Sequence, residues 1–302
     1  MPLLSDLRSV INRRPWLRAM VLIFAWPVVL WRRRTLRIRR ELYEQAVSYP
    51  AYGEVAVPVR GIEGTFLVDI RSDILRRIVF SGSYEPEAVE TIRRVLPASG
   101  DAVDLGANIG IFSVLLAKLA TNRRVLAIEP TPAVARRLVH NLTTNGVAGN
   151  VIVEQCAVGS EHGAVTINTV AGMEEYSRVG SMVLPNTEGK TSLSVTVPMH
   201  TLDELVAQHG LMPSFIKMDI EGSEMRALAG ATKTLTTHRP TILTEVDDRM
   251  LTAAGSSSEE VLEFLRTLGY TLRRVDGGAI DSDHGFCGDV LATHTDGPAT
   301  NG

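Results

Sequence analysis

Two acidic clusters in this 302-residue chain stand where apolar, strand-like runs give way to helix-like ones. From that position a parallel α/β sheet presents side chains to a bound ligand. The first cluster is Val103-Asp104-Leu105-Gly106-Ala107-Asn108-Ile109-Gly110. It reads as a strand, a tight turn and the N-terminus of a helix, with Gly106 and Gly110 allowing the turn and the close approach of a ligand to the backbone. A dinucleotide site uses G-x-G-x-x-G to admit a pyrophosphate, whereas here Asn108 gives G-x-N-x-G, which disfavours phosphate. An aspartate ending the strand suits a ligand that presents an ammonium. Glu129, 25 residues further on at the end of the next strand, is placed to accept two ribose hydroxyls. S-adenosylmethionine carries both groups and is the cofactor these residues point to. Ala157, at the exit of the third strand in Gln155-Cys156-Ala157, is expected to flank its adenine.

The second cluster is Ile216-Lys217-Met218-Asp219-Ile220-Glu221-Gly222-Ser223-Glu224. Three acids within six residues exceed what a helix dipole needs. Asp219 is expected to face the same crevice as Asp104 and to serve as base or positioning group for an acceptor hydroxyl. His200, just before a helix that starts at Thr201, is the second candidate base. The following strand ends in Thr244-Glu245-Val246-Asp247-Asp248, which makes Glu245 the third catalytic candidate. Asp219 and Glu245 with Asp247 or Asp248 form an all-oxygen set that suits Mg²⁺.

These clusters need a scaffold of alternating strands and helices. Strands are expected at 102–105, 125–128, 151–156, 215–218 and 241–244, with helices at 111–120, 133–145, 201 onward, 223–236 and 259–268. This is the βαβ pattern of a doubly wound α/β sheet. Residues 270–275 and 286–293 are expected to close the sheet, 164–167 reads as a short antiparallel strand, and 168–192 reads as a long surface loop. Glu54 to Val59 and Thr65 to Ile70 read as a lead-in hairpin. The expected organisation is an N-terminal arm over 1–50, a hairpin and helix over 51–100, the catalytic domain over 101–293 and a frayed tail over 294–302.

In order and spacing, Tyr84-Glu85-Pro86, the Gly100 to Gly110 segment, Thr201-Leu202-Asp203-Glu204, Ile216-Lys217-x-Asp219-Ile220-Glu221-Gly222-Ser223-Glu224 and Arg239-Pro240-x-Ile242-Leu243-x-Glu245 resemble the FkbM-type methyltransferases over residues 80 to 250. Lys-x-Asp-x-Glu-Gly-x-Glu is the most specific element. The resemblance implies a class I methyltransferase (Rossmann-like) fold, O-methylation of a sugar, glycolipid, polysaccharide or polyketide hydroxyl, and a place for Glu85 near the cofactor. The competing readings are an NAD or nucleotide-sugar oxidoreductase and a membrane-docked, non-catalytic scaffold with a methyltransferase-like fold. The intact set of Asp104, Glu129 and Asp219 weighs against the scaffold.

Hydrophobic residues at 45% and charged residues at 22% are ordinary globular usage, which excludes a disordered chain and a polytopic membrane protein. Cys156 and Cys287 lie in separate apolar segments without metal-ligand spacing and read as reduced core residues in a cytoplasmic protein. The net charge of −3 divides unevenly: ten arginines and one aspartate give residues 1–40 a charge of +9, leaving −12 on the rest. An acidic body repels a phosphate backbone, so nucleic acid is not the expected partner. The apolar run from Ala19 to Trp31 is 13 residues, about 20 Å as a helix, against a hydrocarbon core of about 30 Å. It is too short to span. With arginines on both sides and Trp16, Trp26 and Trp31, residues 13–40 read as an interfacial helix on an anionic membrane, which would place the protein at the inner face. The full chain is expected to sediment with anionic liposomes and a chain lacking residues 1–40 to stay in the supernatant; equal sedimentation of both would remove the membrane reading.

Overall fold

The computed structural model describes residues 37, 40, 53–120, 122–170, 178–179, 192–280 and 285–297. The basic arm, apart from Arg37 and Arg40, lies outside them, as do the end of the tail and most of the long loop. No helix among the described residues is long and apolar enough to cross a membrane.

Strands β1 (Glu54–Val59) and β2 (Gly64–Asp69) form the expected antiparallel hairpin. Two amides one helical turn apart occupy the free edge of β2. The Asn141 side chain accepts from the Leu67 N–H at 2.7 Å and donates to the Leu67 carbonyl at 3.2 Å. Asn145 does the same to Thr65 at 3.0 and 2.8 Å. Helix side chains thus satisfy backbone groups that a third strand would otherwise take. Helices α1 (Asp73–Ser81) and α2 (Pro86–Val95) follow; Ser72 caps α1, and Pro86 opens α2, where its missing N–H costs nothing.

The main sheet contains β3 (Asp101–Leu105), β4 (Val125–Ile128), β5 (Val151–Glu154), β10 (Pro213–Met218), β11 (Thr241–Asp247), β12 (Tyr270–Arg274) and β13 (Cys287–His294). Their order is β12-β13-β11-β10-β3-β4-β5. β3, β4, β5, β10 and β11 run parallel, and β13 is antiparallel to both neighbours. Helices α3 (Ile111–Leu119) and α4 (Pro132–Thr144) connect the first three strands. The chain builds outward from β3 to β5, then returns to place β10 on the other side of β3. That reversal opens a crevice at the carboxyl ends of β3 and β10, the place where doubly wound sheets take ligands.

Alternation along each strand gives the sheet two different faces. Val103, Leu105, Leu126, Ile128, Ile216, Met218, Ile242 and Val246 pack in one apolar cluster with α5 (Leu202–Gln208), α6 (Glu224–Ala229), α7 (Thr232–His238), α8 (Asp248–Ala253) and α9 (Ser258–Thr267). Each large side chain fully buried in this layer contributes about 1.5–3 kcal/mol. On the opposite face Asp104 and Lys217 meet Ser113 and Phe112 of α3.

A second sheet, β6 (Ala157–Val158), β7 (Gly163–Val170), β8 (Arg178–Val179) and β9 (Ser192–His200), has the order β6-β9-β7-β8. Several expectations are corrected here. The run 151–156 is not one strand, because β5 ends at Glu154 and Ala157 already belongs to the second sheet. The short strand expected at 164–167 extends from Gly163 to Val170, and β9 occupies 192–200, so 168–192 is not all loop. Cys287 is exposed rather than in the core, while Cys156 is buried. The helix expected over 223–236 divides at Gly230, whose carbonyl accepts the Asp203 N–H at 3.0 Å. The Asp203 carboxylate then caps the second piece through the Lys233 and Thr234 N–H groups at 2.9 and 2.7 Å. A Cβ on Gly230 would sit 2.0 Å from the Gly159 carbonyl oxygen, so the break is where two backbones touch. Gly230→Ala is therefore expected to destabilise the protein by about 1–3 kcal/mol, as overpacking does. Urea unfolding checks it: the midpoint should fall with the slope unchanged.

Candidate active site

A cleft of about 280 Å³ opens at the crevice between β3 and β10. Of the residues expected there, Glu85, Gly106, Asn108, Glu129, Ala157, Asp219 and Glu245 line it, as do Cys156 and Glu221.

The glycine turn is built differently from the expectation. Gly106 and Gly110 have φ of 77° and 91°, a region that favours glycine. What would clash with a side chain is protein: a Cβ on Gly106 would lie 1.9 Å from the Asp219 carbonyl oxygen, and one on Gly110 would lie 2.6 Å from Leu138 Cδ1. Gly110 does not line the cleft at all. The turn's backbone donors are also committed to protein acceptors. Gly106 and Ala107 donate to the Ile128 carbonyl at 3.0 and 2.9 Å, Asn108 to Glu129 Oε2 at 3.1 Å, Ile109 to Asn108 Oδ1 at 2.7 Å, and Gly110 to the Ala107 carbonyl at 2.9 Å. Five consecutive N–H groups are thus taken, which leaves no anion nest for a pyrophosphate and weighs against the NAD reading.

Glu129 follows β4 and is 6% exposed. Its oxygens accept from the Asn108 and Thr131 N–H groups at 3.1 and 2.8 Å, which fixes the carboxylate toward the cleft with acceptor capacity left for hydroxyls. Burial pushes it up to about 7. Asp104 lies behind the cleft wall rather than on it, fully buried, because strand alternation turns it toward α3. The Ser113 hydroxyl donates to its Oδ2 at 2.6 Å, and its Oδ1 has no hydrogen-bond partner among the described residues. Burial raises its pKa, and Lys217 and Ser113 pull it back only in part. Asp104 is therefore a buried carboxyl behind the cleft wall, next to Lys217 in the β3–β10 register.

Lys217 is the residue that the motif reading passed over. In the β3–β10 register it pairs with Asp104, and its ammonium lies 3.1 Å from Asp219 Oδ2 and 4.5 Å from the centre of the Phe112 ring. It is 5% exposed. Burial opposes its charge, but Asp219, Asp104 and Glu85 more than offset that and hold it above the ordinary lysine range. A lysine inside Ser214-Phe215-Ile216-Lys217-Met218 was the available signal, since a charge in a buried strand needs partners.

Asp219 and Glu245 come together as expected. Glu245 is open to solvent on one side, yet burial on the other, then the charges of Asp219, Glu221 and Asp289, push it up to about 8, and it hydrogen-bonds Asp219. Asp289 is Glu245's register partner across β11 and β13. Burial and then Asp219 raise it too. Glu224, the last acid of the signature, is structural: its Oε1 accepts the Ile220 and Gly222 N–H groups, each at 3.2 Å. Glu85 begins α2 in the left-handed region at φ 39°. It lies 3.5 Å from Arg77, which also holds Asp73 at 2.7 Å, and burial raises it. Tyr84 stacks at a tilt on Phe112, centroids 6.1 Å apart, and both rings line the cleft.

Two expected residues are elsewhere. His200 does not line the cleft; it ends β9 in the second sheet beside Glu204 and His162. Asp247 caps α8 through the Arg249 N–H at 2.9 Å and pairs with the Arg249 guanidinium at 2.6 Å. With Asp247 committed to Arg249, Asp219, Glu245 and Asp247 do not converge into an ion site among the described residues.

The sheet order and the placement of the cleft are those of the class I methyltransferase fold. Residues 104–272 match the methyltransferase FkbM domain, and the chain belongs to the FkbM methyltransferases, a family that uses S-adenosylmethionine. It is similar to methyltransferase sdnD of Sordaria araneosa (26% identity; 45% of this chain, 61% of that one). It is also similar to 31-O-demethyl-FK506 methyltransferase FkbM of Streptomyces tacrolimicus (29%; 57% and 74%) and to hexuronic acid methyltransferase AglP of Haloferax volcanii (28%; 44% and 50%). The chain thus spans between half and three quarters of these relatives' lengths.

Lys217→Met would leave Asp104, Asp219 and Glu85 without their shared cation. It is expected to cost about 3–5 kcal/mol at pH 8, and less as pH falls toward 4, where Asp104 and Glu85, both raised by burial, take up protons and no longer need the ammonium. Thermal unfolding at the two pH values measures this; a loss independent of pH would contradict the charge account.

Proposed function

We propose that the chain methylates a hydroxyl of a sugar, glycolipid, polysaccharide or polyketide-type acceptor, using S-adenosylmethionine. The observation that carries this is the Asp219 carboxylate, pinned by buried Lys217 at the mouth of the crevice, in one cleft with the anchored Glu129. The donor set fits the cofactor. Glu129 and Asn108 suit a ribose, Ala157 offers a small apolar wall beside an adenine, and committed turn N–H groups suit a cofactor without phosphate. The buried anions around Lys217 favour an ammonium and a sulfonium nearby. When bound, the cofactor supplies a methyl group made electrophilic by positive sulfur.

The chain's own part is alignment and proton handling. A sugar or polyketide hydroxyl is a poor acid and gains from a base as its oxygen becomes a nucleophile. Asp219 is that base: it accepts the hydroxyl proton as the new C–O bond forms. Lys217 is its positioning residue, fixing one carboxylate oxygen. Glu245, a neutral acid at pH 7, donates a hydrogen bond to Asp219 instead of adding a second negative charge. The remaining carboxylates at the rim, Glu221 and Asp289, accept hydrogen bonds from neighbouring hydroxyls of a polyol.

Asp219→Asn is expected to lower kcat at least about 100-fold while S-adenosylhomocysteine affinity stays within a few-fold; wild-type turnover would remove Asp219 from the chemistry. Glu245 is a donor only while protonated, so the wild-type rate should fall as pH rises through about 8. Glu245→Gln, which keeps a donor at every pH, should lose that limb in a rate-against-pH profile measured with a labelled methyl donor and a glycolipid or polysaccharide extract.

A further inference from the structure

His200 is accounted for by neither the cleft nor the core, and it has two neighbours of complementary chemistry. Its Nδ1 lies 3.7 Å from Glu204 Oε2, and the Nδ1 of His162 lies 3.6 Å from the same oxygen. The two imidazoles meet edge to face, 4.7 Å between centroids. One ligand atom from each of the three residues falls within 4.8 Å of the others. A tetrahedral zinc ion with bonds of about 2.0–2.2 Å separates neighbouring ligand atoms by roughly 3.3–3.5 Å. The cluster needs only small side-chain rotations to reach that spacing.

The backbone beneath the cluster is fixed on every side. Glu204 is the third residue of α5, and its carboxylate accepts the Thr201 N–H at 3.1 Å while the Thr201 hydroxyl accepts the Glu204 N–H, a closed capping box. That N–H, and then the two histidines, hold its carboxyl below the usual range. His200 ends β9, where it pairs with Val158 of β6, and its carbonyl accepts the Gly159 N–H at 3.0 Å. His162 sits in the turn between β6 and β7, whose two ends, Val158 and Gly163, are registered on His200 and Met199. Two pieces of chain, the junction of β9 with α5 and the β6–β7 turn, are therefore held in place before any ion arrives, which lowers the ordering cost of binding.

We infer that His162, His200 and Glu204 form a binding site for a divalent transition-metal ion of the zinc type, separate from the methyl-transfer cleft. Two imidazoles and one carboxylate are the donor set that suits such ions, whereas Mg²⁺ and Ca²⁺ take oxygen ligands. The other positions on the ion are left to water. Its structural effect is a clamp: it ties the β6–β7 turn to the start of α5, and so braces β6, which supplies Ala157 to the cleft wall.

The test is calorimetric titration of the full chain, free of any histidine tag, with Zn²⁺. The expected result is one equivalent bound and a rise in Tm with zinc. His162→Ala, on an exposed turn, and the double variant with His200→Ala should each weaken that affinity by at least about 100-fold, more than the loss of an outer-shell partner costs. Mg²⁺ should give no heat at this site. Co²⁺ provides a second readout: visible ligand-field absorption in the wild type, absent in His162→Ala, independent of whether the double variant folds. Zinc binding that is unchanged in His162→Ala, or no binding by the wild type, overturns the proposal and leaves the cluster as an ion pair of histidines with Glu204.

Discussion

The ammonium of Lys217 is the constraint around which the rest of the cleft is arranged. A lysine on a buried strand is tolerable only if carboxylates arrive from several directions, and here they do: Asp104 from β3, Asp219 from its own strand and Glu85 from the start of α2. Each of these belongs to a different connection. Their convergence couples the lead-in segment to the sheet and fixes the relative height of β3 and β10. The same ammonium sets the charges around it. Asp219 gains an ion partner, whereas Glu245, one strand further out, has only acids for near neighbours and is held neutral at pH 7. One buried cation thus gives two neighbouring carboxyls different surroundings: Asp219 has an ammonium at 3.1 Å, and Glu245 faces the charges of Asp219, Glu221 and Asp289.

This arrangement depends on a sheet whose two faces do different work. The face toward α5 to α9 is apolar almost throughout and holds the fold together. The face toward α3 buries Ala102, Val125, Ala127, Phe215 and Leu243 as well, but sets the paired Asp104 and Lys217 among them. Such pairing adds little net stability, since desolvation consumes most of the Coulomb attraction. Its contribution is to geometry. The apolar layer packs the fold, and the polar column on the other side fixes Asp219 against Lys217.

The alternation of strands and helices was legible from residue 101 onward because parallel strands are short continuous apolar runs between punctuating turns. β9 was not, although Leu193, Val195, Val197 and Met199 alternate as a strand should: serine, threonine, Pro198 and His200 fill the other positions, and the segment sits beside a long polar stretch. The helix break at Gly230 was also hidden, since its cause is the Gly159 carbonyl, 71 residues away in sequence. Among site residues, Glu129, Asp219 and Glu245 could be found because strand ends deliver side chains to one rim. His200 and Asp247 could not be excluded by the same reasoning. Adjacency to an element's end says nothing of which sheet the element joins, or of which carboxylate turns back to cap its own helix.

The glycine turn shows most clearly how a motif can be read correctly for the wrong reason. In the sequence Gly106 reads as room for a ligand, whereas the position a Cβ would take is filled by the carbonyl of Asp219. The Asp219 N–H in turn donates to the Leu105 carbonyl at 3.1 Å. The two acidic clusters, more than a hundred residues apart, are therefore a single piece of backbone in which each turn closes on the other. The tightness of the first turn fixes the point at which β10 ends, and hence the point from which Asp219 projects. A side chain at 106 would push the Asp219 backbone away, so this glycine both lines the cleft and lets the two turns close on each other.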